Sequence, residues 1–179
     1  LLGNQESPRI ITADKGNGEW VMTLSDKKYR LEEMWTGRSK YDVHITNAVM
    51  DRSVPVATAV NGNPQFSPRG NWIYWYSYPD SSWYAWSVLT MKGGFITTPE
   101  LLPVHDEEND VPDWPSAYGV AGWNEDESAI FLYDKFDIWR VDPKAQTKPV
   151  RITYNGRERG LTYRIEKLDL ESEYINEKE

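Results

Sequence analysis

The chain has no cysteine, only two histidines and four phenylalanines, and no long apolar run. The missing thiols exclude a disulfide framework, a thiolate zinc site and a cysteine nucleophile; they do not report a compartment. The longest clean apolar runs, Trp72 to Tyr76 and Ala129 to Tyr133, are five residues each, whereas a membrane-spanning helix needs roughly 20. Basic residues are scarce as well: 20 Lys and Arg stand against 28 Asp and Glu, a formal net charge of -8. Their densest cluster, Arg151, Arg157, Arg159 and Arg164, is too sparse to track a phosphate backbone, so nucleic acid is not an expected partner. The first residue is Leu1 and no charged-then-apolar leader follows it. The chain therefore reads as an excised or processed piece without its targeting signal.

What is present is a globular composition, 39% hydrophobic and 27% charged over 179 residues, enough for one domain with a sizeable core. Nine Trp and eleven Tyr carry much of the apolar mass. Rings with polar handles suit half-buried strands and interfaces. Helical periodicity is scarce. Short β-prone segments bounded by turn residues dominate. Trp72-Ile73-Tyr74-Trp75-Tyr76 follows the turn cluster Ser67-Pro68-Arg69-Gly70-Asn71, and Ala129-Ile130-Phe131-Leu132-Tyr133 follows Asn124-Glu125-Asp126-Glu127-Ser128. The two blocks align at an offset of 57, and Gly18-Glu19-Trp20-Val21-Met22 matches Gly70 to Tyr74 at an offset of 52. A second element recurs behind each: Tyr41-Asp42-Val43-His44-Ile45 resembles Phe136-Asp137-Ile138-Trp139-Arg140, with Trp83-Tyr84-Ala85-Trp86-Ser87 a looser copy. A shorter β-prone piece closes the unit, as at Pro149 to Thr153. Aligned repeats of about 50 residues have the length of four-stranded propeller blades and disfavour a β-sandwich.

The expected fold is all-β: a partial β-propeller of four-stranded antiparallel blades, about three blades plus the start of another. The approximate blades are 8–60, 61–112 and 113–160, with 161–179 opening the next through Leu161-Thr162-Tyr163-Arg164-Ile165. From Glu166 to Glu179 the chain holds six acids and two Lys and reads as a solvated or frayed end. Open blade edges present unpaired strands, so self-association through them is expected unless the rest of a propeller covers them.

Signals for chemistry are thin. No Gly-x-Ser-x-Gly elbow occurs, and His44 and His105 are 61 residues apart in sequence. His44 alternates with apolar neighbours as a structural imidazole on a sheet face; His105 reads as a loop-bracing residue. No catalytic, cofactor-binding or metal residue is assigned, and no cofactor is expected. The stretch Asp106 to Trp114 has oxygen ligands at alternate positions, but Val111 and Pro112 stand where a calcium loop needs glycine, so a solvated or Arg-paired loop is expected. Gly16-Asn17-Gly18 lacks the third glycine of a phosphate loop. The tryptophans are tied to the repeat and are expected between sheets. Trp83 and Tyr78 are the exposed candidates for a ligand or partner.

Ser67-Pro68-Arg69-Gly70-Asn71-Trp72-Ile73 resembles the Ser-Pro-Asp-Gly-Lys-x-Ile blade signature shared by TolB-like propellers and by the propellers of prolyl oligopeptidase-family serine peptidases. Tyr118 to Trp123, Tyr133 to Pro143, Ile152-Thr153 and Gly156-Arg157 resemble the N-terminal propeller of large dipeptidyl peptidase IV-like proteins common in Bacteroidetes. The resemblance spans roughly Gly18 to Leu170. It implies a propeller that precedes an α/β-hydrolase domain, restricts access to short peptides and sits in an often exported protein. None of the hydrolase motifs occurs in this sequence. The resemblance thus implies a non-catalytic propeller fragment whose partners are the rest of its propeller and a hydrolase domain, peptide substrate belonging to the parent alone. A TolB-like protein-binding scaffold is the alternative, and a carbohydrate-binding β module, on the tryptophan content, a weaker one.

Overall fold

The computed structural model describes residues 8–166 and 174–176. Three four-stranded antiparallel sheets follow one another along the chain. The first comprises β1 (Arg9–Thr12), β2 (Trp20–Ser25), β3 (Tyr41–Asn47) and β4 (Arg52–Val60). The second comprises β5 (Gln65–Phe66), β6 (Trp72–Ser77), β7 (Ser82–Ser87) and β8 (Lys92–Phe95). The third comprises β9 (Val120–Trp123), β10 (Ile130–Tyr133), β11 (Ile138–Val141) and β12 (Val150–Arg151). Each is an up-and-down meander in sequence order, and the three stack as consecutive blades of a partial β-propeller. Among the described residues two short α-helices, α1 (Arg30–Thr36) and α2 (Gly156–Arg159), and a 3-10 turn at Asp14–Gly16 interrupt the pattern.

Stacking explains the short apolar runs. In β6, Ile73 and Trp75 face the first sheet, where they meet Met22, Leu24, Val43 and Ile45. Trp72, Tyr74 and Tyr76 face the third sheet, meeting Trp123, Ile130 and Leu132. The middle blade is buried on both faces, so its strand loses the polar alternation of a one-sided sheet. Tryptophan packs these interfaces, as expected: Trp72 lies 6.5 Å from Trp123, and Trp75 stacks on Tyr84 at 4.4 Å.

The aligned turns are one device used repeatedly. Ser67 Oγ accepts from Trp72 N–H at 3.0 Å, and Asn124 Oδ1 accepts from Ala129 N–H at 2.9 Å. Gly70 at φ 77° and Glu127 at φ 54° hold the same left-handed turn position. Glycine is needed at the first, because a Cβ there would stand 2.7 Å from Ala13 Cβ of the first blade's turn. At the second, the buried Glu127 carboxylate accepts from Arg69 N–H at 2.6 Å, and its carbonyl accepts from Trp72 Nε1 at 3.2 Å. The blade signature is therefore also the blade-to-blade contact. Arg69, in place of an acidic residue, leaves the turn intact and lays its guanidinium over Tyr174 at 5.5 Å.

Two local readings are revised, that of the looser copy and that of the frayed end. The register aligns Asp42, Ser82 and Asp137 across the blades, which shifts the looser copy to Ser81 to Ala85. Over 161–166 the chain has no ladder partner; Tyr163 N–H donates to Phe136 O and Ile165 N–H to the Tyr133 hydroxyl. Of the acidic end, residues 167–173 and 177–179 lie outside the described residues. Tyr174–Asn176 does not fray: it runs parallel to β9, with Ile175 N–H donating to Trp123 O at 2.7 Å. The inner edge of the third blade offered unpaired backbone groups there, and the segment satisfies one.

Candidate cleft at the loop end of the blades

The repeats look equal in length because two insertions compensate. The β2–β3 connection runs over residues 26–40, whereas the β6–β7 turn spans only 78–81. The link from the first to the second sheet is residues 61–64, but that from the second to the third is 96–119. Both long segments emerge at the same end of the stack, since β2–β3 turns and blade-to-blade links share it in any such meander. Long loops on a rigid scaffold are where binding groups concentrate.

Each insertion is anchored. Asp42 at the start of β3 is buried and accepts from Lys28 Nζ, from the Tyr29 hydroxyl at 2.6 Å and from Ala59 N–H at 3.2 Å. Burial acts to raise its pKa, but these three donors outweigh it and hold the carboxyl below its ordinary value. Tyr29 leads into α1, which ends at Gly37 in a left-handed cap, φ 68°, donating to Glu33 O. That reversal delivers Arg38 to the cleft. On the other side, Tyr76 of β6 donates its hydroxyl to Pro115 O at 3.0 Å, and burial pushes this phenol up to about 12. Asp106 N–H donates to Ser116 O, closing the base of the excursion.

Between them lies a cleft of about 330 Å³. Arg38 Nη2 donates to Asp113 Oδ1 at 2.7 Å, and its guanidinium carbon stands 3.9 Å from the Trp114 ring centroid. Asp113 also accepts from Trp114 N–H at 2.7 Å; that bond first, then the Arg38 pairing, lowers its pKa, keeping it ionised. Asn61 and Gly62 form the floor, with Asn61 O accepting from Tyr78 N–H. Gly62 must be glycine, because a Cβ would stand 2.3 Å from Tyr76 O. Tyr41 and Tyr78 wall the sides, and Tyr78 packs edge-on against Tyr76 at 5.2 Å.

A second clamp at this end closes the third blade. Asp137, fully buried, accepts from the Thr153 hydroxyl at 2.7 Å, Gly156 N–H at 3.1 Å and Arg157 N–H at 3.2 Å, and pairs with Arg151 at 3.4 Å. Burial acts to raise its pKa; Thr153, the two N–H groups and Arg151 outweigh it and lower it.

The residues singled out from sequence scatter. His44 on β3 stands opposite Thr23 and Pro55, and His105 bridges Ala117, so the two form no catalytic pair. Three of the five acids of 106–113 turn to cations: Glu107 to Arg157 at 2.8 Å, Glu108 to Lys135, Asp113 to Arg38. Among the described residues no three acidic, histidine or cysteine side chains gather as a metal site. Gly16 to Gly18 lies in the β1–β2 turn at the opposite end. Tyr78 is exposed at the cleft wall as expected, but Trp83 is not: it is 8% exposed, packed on Tyr74 and Tyr76. At its register position the side chain points toward the third sheet, which the sequence repeat could not reveal. Sequence reading missed α1, Arg38 and Asn61. The Leu31, Met34 and Trp35 spacing with Gly37 behind it was the available helix signal, although these three apolar side chains are exposed. No described helix is long and apolar enough to cross a membrane.

No protein-family profile matches the sequence, and no curated protein sequence matches it. Among solved structures the chain is similar to the β-propeller domain of the Trilobed protease from Pyrococcus furiosus, at 15% identity over 82% of this chain and 43% of that one, TM-score 0.44. It is similar to TolB from Acinetobacter baumannii at 16% identity over 82% and 33%, TM-score 0.43. It is similar to Porphyromonas gingivalis dipeptidyl peptidase 4 at 15% identity over 86% and 22%, TM-score 0.46. The chain spans less than half the length of each of these structures.

Proposed function

We propose that this chain is the non-catalytic propeller portion of a prolyl oligopeptidase-like serine peptidase. Its blades, taken as 8–60, 61–112 and 113–160 with the next opening in 161–179, gate substrate access and pack against a hydrolase domain. The observation that carries the reading is the turn device: the strings that resemble that peptidase family, Ser67 to Ile73 and the Asp137 region, are the residues that join blade to blade and lock the third blade shut. The loop-end cleft supports it, since it supplies a guanidinium, an amide and ring faces, which are groups for binding rather than for bond cleavage.

The test has two arms. Purified chain should release no product from peptide p-nitroanilides, and the coding sequence beyond Glu179 should encode a hydrolase domain with a Gly-x-Ser-x-Gly elbow. Turnover by the chain alone, abolished by a serine-directed reagent, overturns the reading. Further repeats followed by a stop, without a hydrolase, transfer it to the TolB-like scaffold alternative.

A further inference from the structure

We propose that the loop-end cleft binds a peptide carboxylate, clamped by Arg38 and Asn61 and flanked by an aromatic or other flat apolar group against Tyr78. This goes beyond the gating reading and does not depend on it, because the binding groups all belong to the described chain.

The first ground is preorganisation. Arg38 is the end of a relay that begins at buried Asp42 and passes through Tyr29, α1 and the Gly37 cap. Its guanidinium is fixed in plane by Trp114 beneath it, and in direction by Asp113 beside it. An arginine has five N–H donors in a rigid fork, and Asp113 engages one of them. The side chain remains 37% exposed, so the other donors stay accessible. A stacked, oriented guanidinium suits planar recognition of a carboxylate, and an aligned fork loses little freedom on binding.

The second ground is an unsatisfied donor. Asn61 lines the same cleft, and its Nδ2 is buried with no acceptor. Buried polar atoms in folded proteins nearly always have partners; the Asn61 amide, covered and unpartnered beside the cleft, gains one when its side chain turns into the lumen to meet an entering acceptor. Arg38 and Asn61 line one concavity and both carry N–H donors. The shared complement is an oxygen acceptor with negative charge.

Charge decides for a carboxylate over a neutral carbonyl. Asp113, the acid of the lining, and Arg38 balance each other as an ion pair, so the excess charge comes from the rim. Arg9 holds Asn63 at the rim through a 3.0 Å hydrogen bond, adding a second positive group there. On a chain of net charge -8, Arg9 leaves the cleft mouth with one positive charge in excess. A volume of about 330 Å³ admits a dipeptide-sized group, and the exposed Tyr78 ring offers it a flat apolar wall.

Isothermal titration of the purified chain tests the inference with three probes. Acetyl-Ala-Phe with a free C-terminus presents a chain-end carboxylate. Acetyl-Glu-Phe-amide presents an acidic side chain, and acetyl-Gln-Phe-amide is the neutral control. At least one carboxylate probe should bind about tenfold or more tighter than the control, as a charge-assisted hydrogen bond requires, and the tighter of the two identifies the source. Arg38→Gln should erase that preference. Asn61→Asp, nearly isosteric, should reverse it by placing a like charge beside the ligand, and keeps the test decisive if the first variant fails to fold by circular dichroism. Equal binding of all three probes, no saturable binding of any, or a folded variant of either kind that retains the carboxylate preference overturns the proposal. Failure here leaves the gating reading intact, since that one is judged on hydrolysis and on the downstream sequence.

Discussion

Replacing Asp137 with alanine isolates the clamp that closes the third blade. The carboxylate is fully buried and accepts four donors. Two of them keep other partners after its removal. The Thr153 hydroxyl still accepts from Ile138 N–H, and Arg151 still pairs with Glu158. The N–H groups of buried Gly156 and of Arg157, whose bond is part-buried, are stranded, and each such orphan costs about 1–3 kcal/mol, least where water can reach it. Asp137→Ala should therefore cost about 4 kcal/mol, and Asp137→Asn, which keeps one carbonyl oxygen, about half that. With a urea m-value of about 2 kcal/mol/M, the alanine variant should unfold about 2 M earlier at pH 7 by tryptophan fluorescence. The pH dependence has a fixed sign. The folded carboxyl lies below its unfolded value of about 3.9, so its stabilisation is complete above that value and disappears as pH falls through the depressed folded one. The gap between wild type and Asp137→Asn should stay level from about pH 8 to about pH 5 and shrink below about pH 4. A midpoint shift under about 0.5 M, or a gap unchanged in acid, would refute the clamp.

Gly62→Ala should lower the melting temperature by roughly 5–10 °C, since its Cβ would press on the Tyr76 carbonyl at 2.3 Å and overpacking of that kind costs about 2–3 kcal/mol; differential scanning calorimetry reads it. Trp83→Ala should destabilise by about 3–5 kcal/mol in urea titration, because it empties a buried site between Tyr74 and Tyr76. Any glycan-binding loss in that variant would thus report unfolding. Replacing Leu31, Met34 and Trp35 together with glutamine should change the unfolding free energy read from urea titration by less than about 0.5 kcal/mol per site, as all three side chains are exposed on α1.

Much of the architecture is written in local pattern. The offsets of 57 and 52 survive as real structural equivalences, because a strand needs only a run of β-prone residues and a turn that ends it. Ser67 and Asn124 even cap their turns with the same hydrogen bond. Asp42 and Asp137 were legible as equivalents, though not as clamps, since their donors come from segments 13 to 20 residues away. The compensating insertions, residues 26–40 and 96–119, hid inside a nearly constant period.

By itself the sequence settled where most strands begin and turn, and that most of the tryptophans would be buried between sheets, though not the register of the middle blade or the burial of Trp83; what it settled follows from short-range periodicity and turn chemistry. Only the tertiary structure decided which face each ring takes and which loops converge. Arg38 and Asp113 are 75 residues apart in the chain, and they meet because stacked blades send every β2–β3-type loop and every blade-to-blade link to one end. That convergence depends on how whole sheets pack, a non-local property that no window of neighbouring residues encodes.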